Sequence, residues 1–239
     1  LLPWGHVLFE DLPGLGKTTL ASALARLAGL HFQRIQFTND MLASDVIGIN
    51  IFNQKEHLFE FKKGPIFTQI LLADEINRCS PKTQSALLEA MEEAAVTVDG
   101  IHYELPQPFW VLATQNPLFQ SGTYALPESQ LDRFLMRLSL GYPSRQAEKL
   151  LLQQSSRQVL IHQLEAVFTQ VDILQLRELA KQVFLSDAVL NYILDLAAET
   201  RKQRHGLSTR GVLALKAAAQ AYALVEGRSF VTTDDVQTI

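Results

Sequence analysis

Short runs of apolar residues alternate with segments of helical spacing in the part of the chain before Pro143. Runs that are apolar at nearly every position are typical of strands buried on both faces, as in a parallel sheet covered by helices. The predicted strands are His6–Glu10, Phe32–Phe37, Ile66–Ala73, Trp110–Thr114 and Leu135–Tyr142, and the predicted helices between them are Lys17–Leu30 and Ser80–Glu93. This alternation predicts an α/β fold with a parallel sheet.

Two further segments alternate between apolar and polar residues and predict β-hairpins. Ile49–Phe61 alternates on both sides of a polar stretch at Asn53–Glu56. Ala95–Tyr103 alternates around Asp99-Gly100, a dipeptide that favours the left-handed backbone of a two-residue hairpin turn.

From Pro143 onward the pattern becomes that of helices only. All nine prolines lie at or before this position, and proline disfavours helix interiors. Ser186 and Ser208 suit N-cap positions, and Gly227 suits the position that ends a helix. The predicted helices are Ser144–Arg157, Ile173–Phe184, Ser186–Arg204 and Ser208–Glu226. We therefore predict two domains, residues 1–143 and an all-helical domain of residues 144–239.

Composition excludes several classes of protein. The 239 residues are 47% apolar with a formal charge of −4. This rules out wholesale disorder and disfavours a non-specific nucleic-acid coat, which needs excess lysine and arginine. The longest uncharged run, Leu105–Pro127, contains polar residues and prolines and predicts no transmembrane helix. The single cysteine, Cys79, cannot form an intramolecular disulfide, so we expect a reducing compartment, the cytoplasm.

The first candidate chemistry lies where the first predicted strand ends. The segment Asp11–Thr18 is a glycine-rich turn that opens into a helix, an arrangement that directs helix N–H groups at a phosphate. Lys17 would reach the β- and γ-phosphates, and the Thr18 hydroxyl would ligate Mg²⁺. A glycine-rich loop with an incidental lysine is the other interpretation. The predicted nucleotide-binding residues are Pro13, Gly14, Leu15, Gly16, Lys17, Thr18 and Thr19.

Asp11 stands where the strict phosphate-loop pattern has glycine. Because its negative charge would repel phosphates, we expect its carboxylate to point away from them. Replacement by glycine is then expected to leave nucleotide affinity nearly unchanged or slightly improved.

A second chemical signal is a pair of acids after an apolar run. Ile70–Ala73 is followed directly by Asp74 and Glu75. Because the carboxyl ends of parallel strands meet at one edge of a sheet, Asp74 would lie beside the phosphate loop and hold the water shell of Mg²⁺. Glu75 is a candidate base for polarising an attacking water. On its own, the pair is equally typical of an exposed strand end.

The ordered set of motifs resembles the MoxR family of AAA+ ATPases. Besides the phosphate loop, the resemblance is carried by Arg34–Thr38, Gly64–Phe67, Asp74–Glu93, Ala113–Pro117 and Leu126–Phe134. The chain departs from the family pattern at Asp11, at Asn39 and Ala43 in place of prolines, and at Cys79 in place of a smaller residue. The resemblance implies an AAA+ core with a five-stranded parallel sheet, followed by a helical lid. It also implies that ATP and Mg²⁺ bind and that ATP is hydrolysed.

The resemblance assigns roles to three further side chains. Asn116 matches the first sensor, whose amide can donate to a γ-phosphate oxygen and accept from the attacking water. Arg133 matches the arginine finger, which completes the site of a neighbouring subunit; Arg137 is the competing candidate, and an ordinary surface ion pair is the other interpretation. Arg210 matches the second sensor, which detects the γ-phosphate.

The resemblance also implies an assembly and a task. We expect a ring, a hexamer, that activates or matures client protein complexes together with a partner bearing a von Willebrand factor A domain. Family members carry a further helix before the first strand and more of a lid helix after the position of Ile239. We therefore expect the chain to be a fragment, truncated at both ends.

Two other classes of function stay open at this stage. A nucleic-acid motor of the AAA+ type would also carry the two predicted hairpins. The net negative charge of the chain disfavours this class, because tracking a nucleic-acid strand needs a basic groove. A scaffold that binds ATP without turnover is the second, disfavoured by the presence of Glu75, Asn116 and Arg133.

Overall fold

The computed structural model describes residues 5–12, 14–116, 122–153, 160–161, 163–202 and 206–239. Within them, the predicted alternation of sheet strands and helices is confirmed. The strands of the main sheet are β1 (His6–Glu10), β2 (Phe32–Gln36), β5 (Ile70–Asp74), β8 (Trp110–Gln115) and β9 (Phe134–Leu138). The helices of this part are α1 (Lys17–Leu27), α2 (Ala43–Ile47), α3 (Pro81–Glu93), α4 (Glu128–Leu131) and α5 (Arg145–Gln153).

The strands lie in the order β2-β5-β8-β1-β9. Strand β5 pairs in parallel with β2 and β8, and β8 pairs in parallel with β1. The side chains of Ile70–Ala73 are 0% exposed, as expected for a central strand covered on both faces. This order places the end of β8 between the two acids at the end of β5 and the phosphate loop that follows β1.

Two of the predicted strands are shorter than their apolar runs. Residues 66–69 form a buried turn before β5, in which the Phe67 N–H donates to the Gly64 carbonyl and the Thr68 hydroxyl donates to the His31 carbonyl. The edge strand β9 stops at Leu138, and the N–H groups of Leu140 and Gly141 that follow donate to the Asp11 side chain. At residues 66–69 and 139–142 the apolar pattern therefore does not correspond to strand pairing.

Both predicted hairpins are confirmed. The first pairs β3 (Gly48–Asn53) with β4 (Leu58–Lys63), and the second pairs β6 (Ala95–Val98) with β7 (Ile101–Glu104). Asp99 and Gly100 have φ values of 50° and 80°, the left-handed backbone that the sequence predicts for this turn.

The two hairpins contact each other. Asn50 Nδ2 donates to Asp99 Oδ2 at 2.6 Å. Near the base of the first hairpin, the Phe61 ring stacks on Tyr103 with ring centroids 4.0 Å apart. A polar and an aromatic contact therefore join hairpins that lie about forty residues apart in the chain.

The part of the chain after residue 169 is helical, as predicted. Its helices are α6 (Gln170–Gln182), α7 (Asp187–Arg201), α8 (Thr209–Val225) and α9 (Thr233–Thr238). Ser186 and Ser208 cap α7 and α8 by accepting from the N–H groups of Val189 and Gly211. The predicted extensions to Arg157 and Arg204 lie outside the described residues.

The packing divides the described residues into two units. One comprises Gly5, Glu128–Leu135 and Gln170–Ile239; the other comprises His6–Pro127 and Met136–Thr169. The boundary at Pro143 stays a prediction. Among the described helices, none combines the length and the apolar character that crossing a bilayer requires.

Candidate functional site

The phosphate loop has the backbone geometry that anion binding requires. Gly16 caps α1 with φ 89°, and Gly14 has φ 88°. A side chain at either position would meet open space, so the positive φ rather than crowding requires glycine. Lys17, which is 8% exposed, donates through Nζ to the carbonyl oxygens of Asp11 and Leu12, at 3.0 and 2.9 Å. The lysine is thus folded onto the loop that would hold the phosphates.

The Asp11 carboxylate points away from the loop, as expected, but it has partners that the sequence did not indicate. Oδ1 accepts from the Ser139 hydroxyl at 2.6 Å and from the Gly141 N–H at 3.3 Å, and Oδ2 accepts from the Leu140 N–H at 2.7 Å. Burial raises the pKa of Asp11, but these three hydrogen bonds and the charge of Lys17 together outweigh it. The net pKa of Asp11 is lowered, so the side chain is a buried carboxylate.

Asp74 and Glu75 are connected through the hydroxyl of Thr114. Thr114 Oγ1 donates to Asp74 Oδ1 at 2.6 Å and accepts from the Glu75 N–H at 2.9 Å. Glu75 has φ 56° and ψ 49°, a left-handed conformation that costs about 1 kcal/mol or more for a residue other than glycine and is often found at active sites. The hydrogen bond to its N–H contributes to holding this backbone.

Each of the two acids also pairs with an arginine. Arg34 on β2 donates to Asp74 Oδ2 through Nη2 at 2.7 Å and through Nε at 3.2 Å. Arg78 donates through Nη1 to Glu75 Oε2 at 2.9 Å. Both arginine side chains are 46% exposed, so these pairs orient the carboxylates more than they stabilise the fold.

The phosphate loop, Arg34, Asp74, Glu75 and Thr114 line one cavity of about 340 Å³. The predicted residues on its wall are Gly14, Gly16, Lys17, Thr18, Thr19, Asp74, Glu75 and Asn116. The prediction missed Arg34, Gln36, Thr114 and Gln115, which also line it together with Asp11. These four residues lie within segments that resemble the MoxR family. The sequence therefore marked their segments but did not indicate a role for their side chains.

Four predicted residues, Pro13, Leu15, Arg133 and Arg210, are not among those that define this cavity wall. Leu15 is not on the cavity wall, and Pro13 lies outside the described residues. Arg133 and Arg210 belong to the unit that contains the helices α6–α9. Their segments meet there, because Ser208, the N-cap of α8, donates to Asp132 Oδ1 at 2.6 Å.

Arg137, the competing finger candidate, has a partner within its own chain. Its Nε donates to Glu10 Oε2 at 3.1 Å, its Nη2 contacts the same oxygen, and Glu10 Oε1 accepts from Gln115 Nε2 at 2.7 Å. Cys79 is fully buried and burial raises its pKa to about 12, so it packs as an inert side chain rather than as a reactive thiol.

The oxygen donors at the cavity suit Mg²⁺ rather than a metal bound by the protein alone. In the part of the chain that the structure describes, no cluster of three histidine, cysteine or acidic side chains could hold a metal ion. Thr18 and Asp74 offer a hydroxyl and a carboxylate on the same wall. One or two such hard oxygen ligands, completed by water and phosphate oxygens, are what Mg²⁺ uses in nucleotide sites.

Comparisons with known proteins identify the family of the chain. Residues 6–136 match the ATPase family associated with various cellular activities (AAA), and residues 196–239 match the AAA lid domain. The chain is 51% identical to the uncharacterized protein YeaC of Bacillus subtilis, over 99% of this chain and 75% of YeaC. It is 40% identical to Chaperone MoxR1 of Mycobacterium tuberculosis, over 99% of this chain and 65% of MoxR1.

A solved structure shows the same fold. The crystal structure of a proposed ATPase from Cytophaga hutchinsonii superposes with a TM-score of 0.90 at 40% identity, covering 99% of this chain and 76% of the other. This match confirms the predicted α/β core followed by a helical lid. The family match, these relatives and the convergence of Lys17, Asp74 and Glu75 on one cavity lead to one conclusion: the chain is an ATP-hydrolysing AAA+ ATPase of the MoxR family.

Proposed function

We propose that this ATPase uses ATP hydrolysis to remodel, mature or activate client protein complexes. The observation that carries the proposal is the single cavity at which the phosphate loop, the acid pair and Asn116 meet. The similarity of the chain to a protein named as a chaperone, MoxR1, favours protein clients. The chain spans 65% of the length of MoxR1.

Three residues of the cavity wall have proposed tasks in the chemical step. Glu75 accepts a proton from the attacking water, and Asn116 orients that water against the γ-phosphate. Lys17 Nζ, which lies at the carbonyl oxygens of Asp11 and Leu12 and has three N–H donors, donates to the β- and γ-phosphates, for which the glycine turn supplies further N–H groups.

Magnesium would be held by the Thr18 hydroxyl and, through water, by Asp74. When bound, it neutralises charge that develops on the phosphate oxygens. Thr114 and Arg34 keep the Asp74 carboxylate oriented toward this position by occupying its two oxygens from the sides of β8 and β2.

We further propose a ring, a hexamer, in which Arg133 completes the site of the adjacent subunit and Arg210 acts as the second sensor. Arg133 is preferred to Arg137 as the finger because it lies within Leu126–Phe134, a segment that carries the resemblance to the family. A protein with a von Willebrand factor A domain is the proposed partner. The single cysteine supports the cytoplasm as the place of action.

The variant Glu75→Gln tests the proposal. It should bind ATP as wild type does and hydrolyse it at least about a hundredfold more slowly, because the general base is lost. Held in the ATP state, it should retain client proteins that Lys17→Ala, which lacks the phosphate ligand, does not retain.

Three outcomes would contradict the proposal. Unchanged turnover would remove Glu75 from its role, and absence of turnover in the wild-type protein at ring-forming concentration would favour a scaffold. Stimulation of turnover by DNA or RNA, without any client protein retained in the ATP state, would favour a nucleic-acid motor.

A further inference from the structure

Two buried amide side chains follow the acid pair in the chain. Gln84 on α3 is 1% exposed, and Asn77, in the short 3₁₀ turn Ile76–Arg78 that follows Glu75, is 6% exposed. A buried amide group needs hydrogen-bond partners inside the protein. The partners of these two amides lie on the segments that carry Glu75 and Asn116.

Gln84 joins the turn after Glu75 to the segment that follows β8. Its two Nε2 protons are shared among the carbonyl oxygens of Ile76, Cys79 and Tyr124, at N···O distances of 3.2, 3.4 and 3.1 Å. The first two oxygens belong to the turn and its end, and the third belongs to the chain beyond β8. One side chain of α3 therefore binds both segments.

Asn77 connects the same two segments closer to the site. Its Nδ2 donates to the Asn116 carbonyl oxygen at 3.3 Å, and its backbone carbonyl oxygen accepts from the Tyr124 N–H at 2.7 Å. The backbone of the residue proposed to orient the water is thus tied to the turn that follows the proposed base.

The backbone of Glu75 needs such support. It is left-handed, with φ 56° and ψ 49°, and a residue other than glycine keeps this conformation only where the surrounding structure enforces it. The Thr114 hydroxyl fixes the Glu75 N–H. Gln84 and Asn77 fix the residues that come next, so the chain is held on both sides of the Glu75 Cα.

We propose that Gln84 and Asn77 are positioning residues of the ATPase, which set the place of the Glu75 carboxylate relative to the Asn116 side chain. The inference rests on the proposed roles of Glu75 and Asn116 in hydrolysis. Because a displacement of about 1 Å at the reacting groups can cost about a hundredfold in rate, loss of either amide should slow turnover. Neither amide donates to the phosphate loop in the hydrogen bonds described, so nucleotide affinity should stay the same.

The test is the variant Gln84→Met, which preserves the length of the side chain and removes both donors. Steady-state turnover should fall about tenfold to a hundredfold, while affinity for a non-hydrolysable ATP analogue with Mg²⁺ should stay within about twofold of wild type. Asn77→Ala removes one hydrogen bond and should show the same split with a loss of about threefold to tenfold. It carries the test if Gln84→Met does not fold.

Gln69→Met is the matched control. Gln69 is also a buried amide, which donates to the Gln107 carbonyl oxygen and accepts from the His31 N–H. It immediately precedes β5 and therefore lies at the opposite end of that strand from Asp74. Gln69→Met should lose as much stability in urea unfolding as Gln84→Met and keep the turnover of wild type.

A double variant separates positioning from general damage. In the Glu75→Gln background there is no base left to place, so Gln84→Met should not slow the residual turnover further. If Gln84→Met merely damaged the fold, the two losses would multiply.

Several results would overturn the role of the two amides. These are wild-type turnover in folded Gln84→Met or Asn77→Ala, a parallel loss of analogue affinity, an equal loss of turnover in Gln69→Met, or multiplied losses in the double variant. Unchanged turnover in Glu75→Gln alone would overturn the proposed role of the base as well, which separates the two failures.

Discussion

The Thr114 hydroxyl donates to Asp74 Oδ1 at 2.6 Å, from one strand of the sheet to the next. Thr114 Oγ1 also accepts from the Glu75 N–H, so a single buried hydroxyl contacts both acids of the site. The proton of Thr114 thereby positions the carboxylate proposed to hold the metal's water shell, and one lone pair positions the backbone of the proposed base.

Thr114→Val should slow ATP hydrolysis by about tenfold to a hundredfold, the usual cost of removing a group that orients a metal ligand. Valine has nearly the same shape but leaves Asp74 Oδ1 and the Glu75 N–H without this partner. Steady-state turnover and analogue affinity are the measurements, and affinity should change less than turnover. Thr114→Ser keeps the hydroxyl and serves as the control; equal losses in both variants would contradict the role of the hydroxyl.

Subunits that carry Arg133→Ala and subunits that carry Lys17→Ala should be inactive separately and partly active when mixed. Mixed rings contain interfaces at which an intact phosphate loop faces an intact Arg133, and a guanidinium group of this kind is worth about 10³–10⁵ in rate in GTPases. Turnover as a function of the mixing ratio is the measurement. No recovery in mixed rings, verified by co-purification of two tags, would contradict a finger supplied by the neighbour.

His6→Ala should lower the free energy of unfolding by about 2–4 kcal/mol, since two buried backbone groups lose their partners. His6, 8% exposed, accepts through Nδ1 from the Val111 N–H at 2.9 Å, and its Nε2 lies 2.9 Å from the Met91 carbonyl oxygen. His6→Asn retains an acceptor near Nδ1 and should recover part of the loss. Urea unfolding measures both; equal midpoints for alanine and wild type would refute this bridge between β8 and α3.

Stability should depend on pH through Asp235. The hydrogen bond from Arg228 is the largest influence; burial opposes it and Thr232 adds to it, so the pKa of Asp235 is lowered from 3.8 to about 2. Because the folded value lies below the unfolded one, the stabilisation is fully present above about pH 4 and is lost as the pH falls through 2. The difference corresponds to about 2 kcal/mol.

Asp235→Asn should therefore be less stable than wild type at pH 7, by about this amount, and approach it near pH 2. Thermal unfolding followed by circular dichroism across this range measures the difference. Asp234→Asn, which changes the exposed neighbouring acid, is the control. A gap that stays constant down to pH 2 would show that the ionised carboxylate of Asp235 is not what stabilises this end of the chain.

The sequence predicted the residues of the site that lie at strand ends and helix starts. Gly14, Gly16 and Lys17 follow from local turn chemistry, and Asp74 and Glu75 follow from a buried run that ends in two acids. Each of these two motifs is shorter than ten consecutive residues, so it can be detected without knowledge of the fold.

The residues missed by the sequence analysis depend on which strands are neighbours. Arg34 reaches Asp74 because β2 lies beside β5, and Thr114 reaches it because β8 lies on the other side. Hydrophobic periodicity indicates that a strand is buried but not what pairs with it, so these contacts required the sheet order. The partners of Asp11 were missed for the same reason, since β9 lies about 120 residues further along the chain.

The contacts between the two hairpins have a mechanical consequence. Asn50 and Phe61 lie opposite each other on β3 and β4, and they contact Asp99 and Tyr103 of the second hairpin. The second hairpin continues directly from α3, and α3 begins just after the turn that starts at Glu75. A displacement of the exposed tip at Asn53–His57 would therefore be passed through these contacts to the second hairpin. From there it would reach α3, the helix that follows the acid pair.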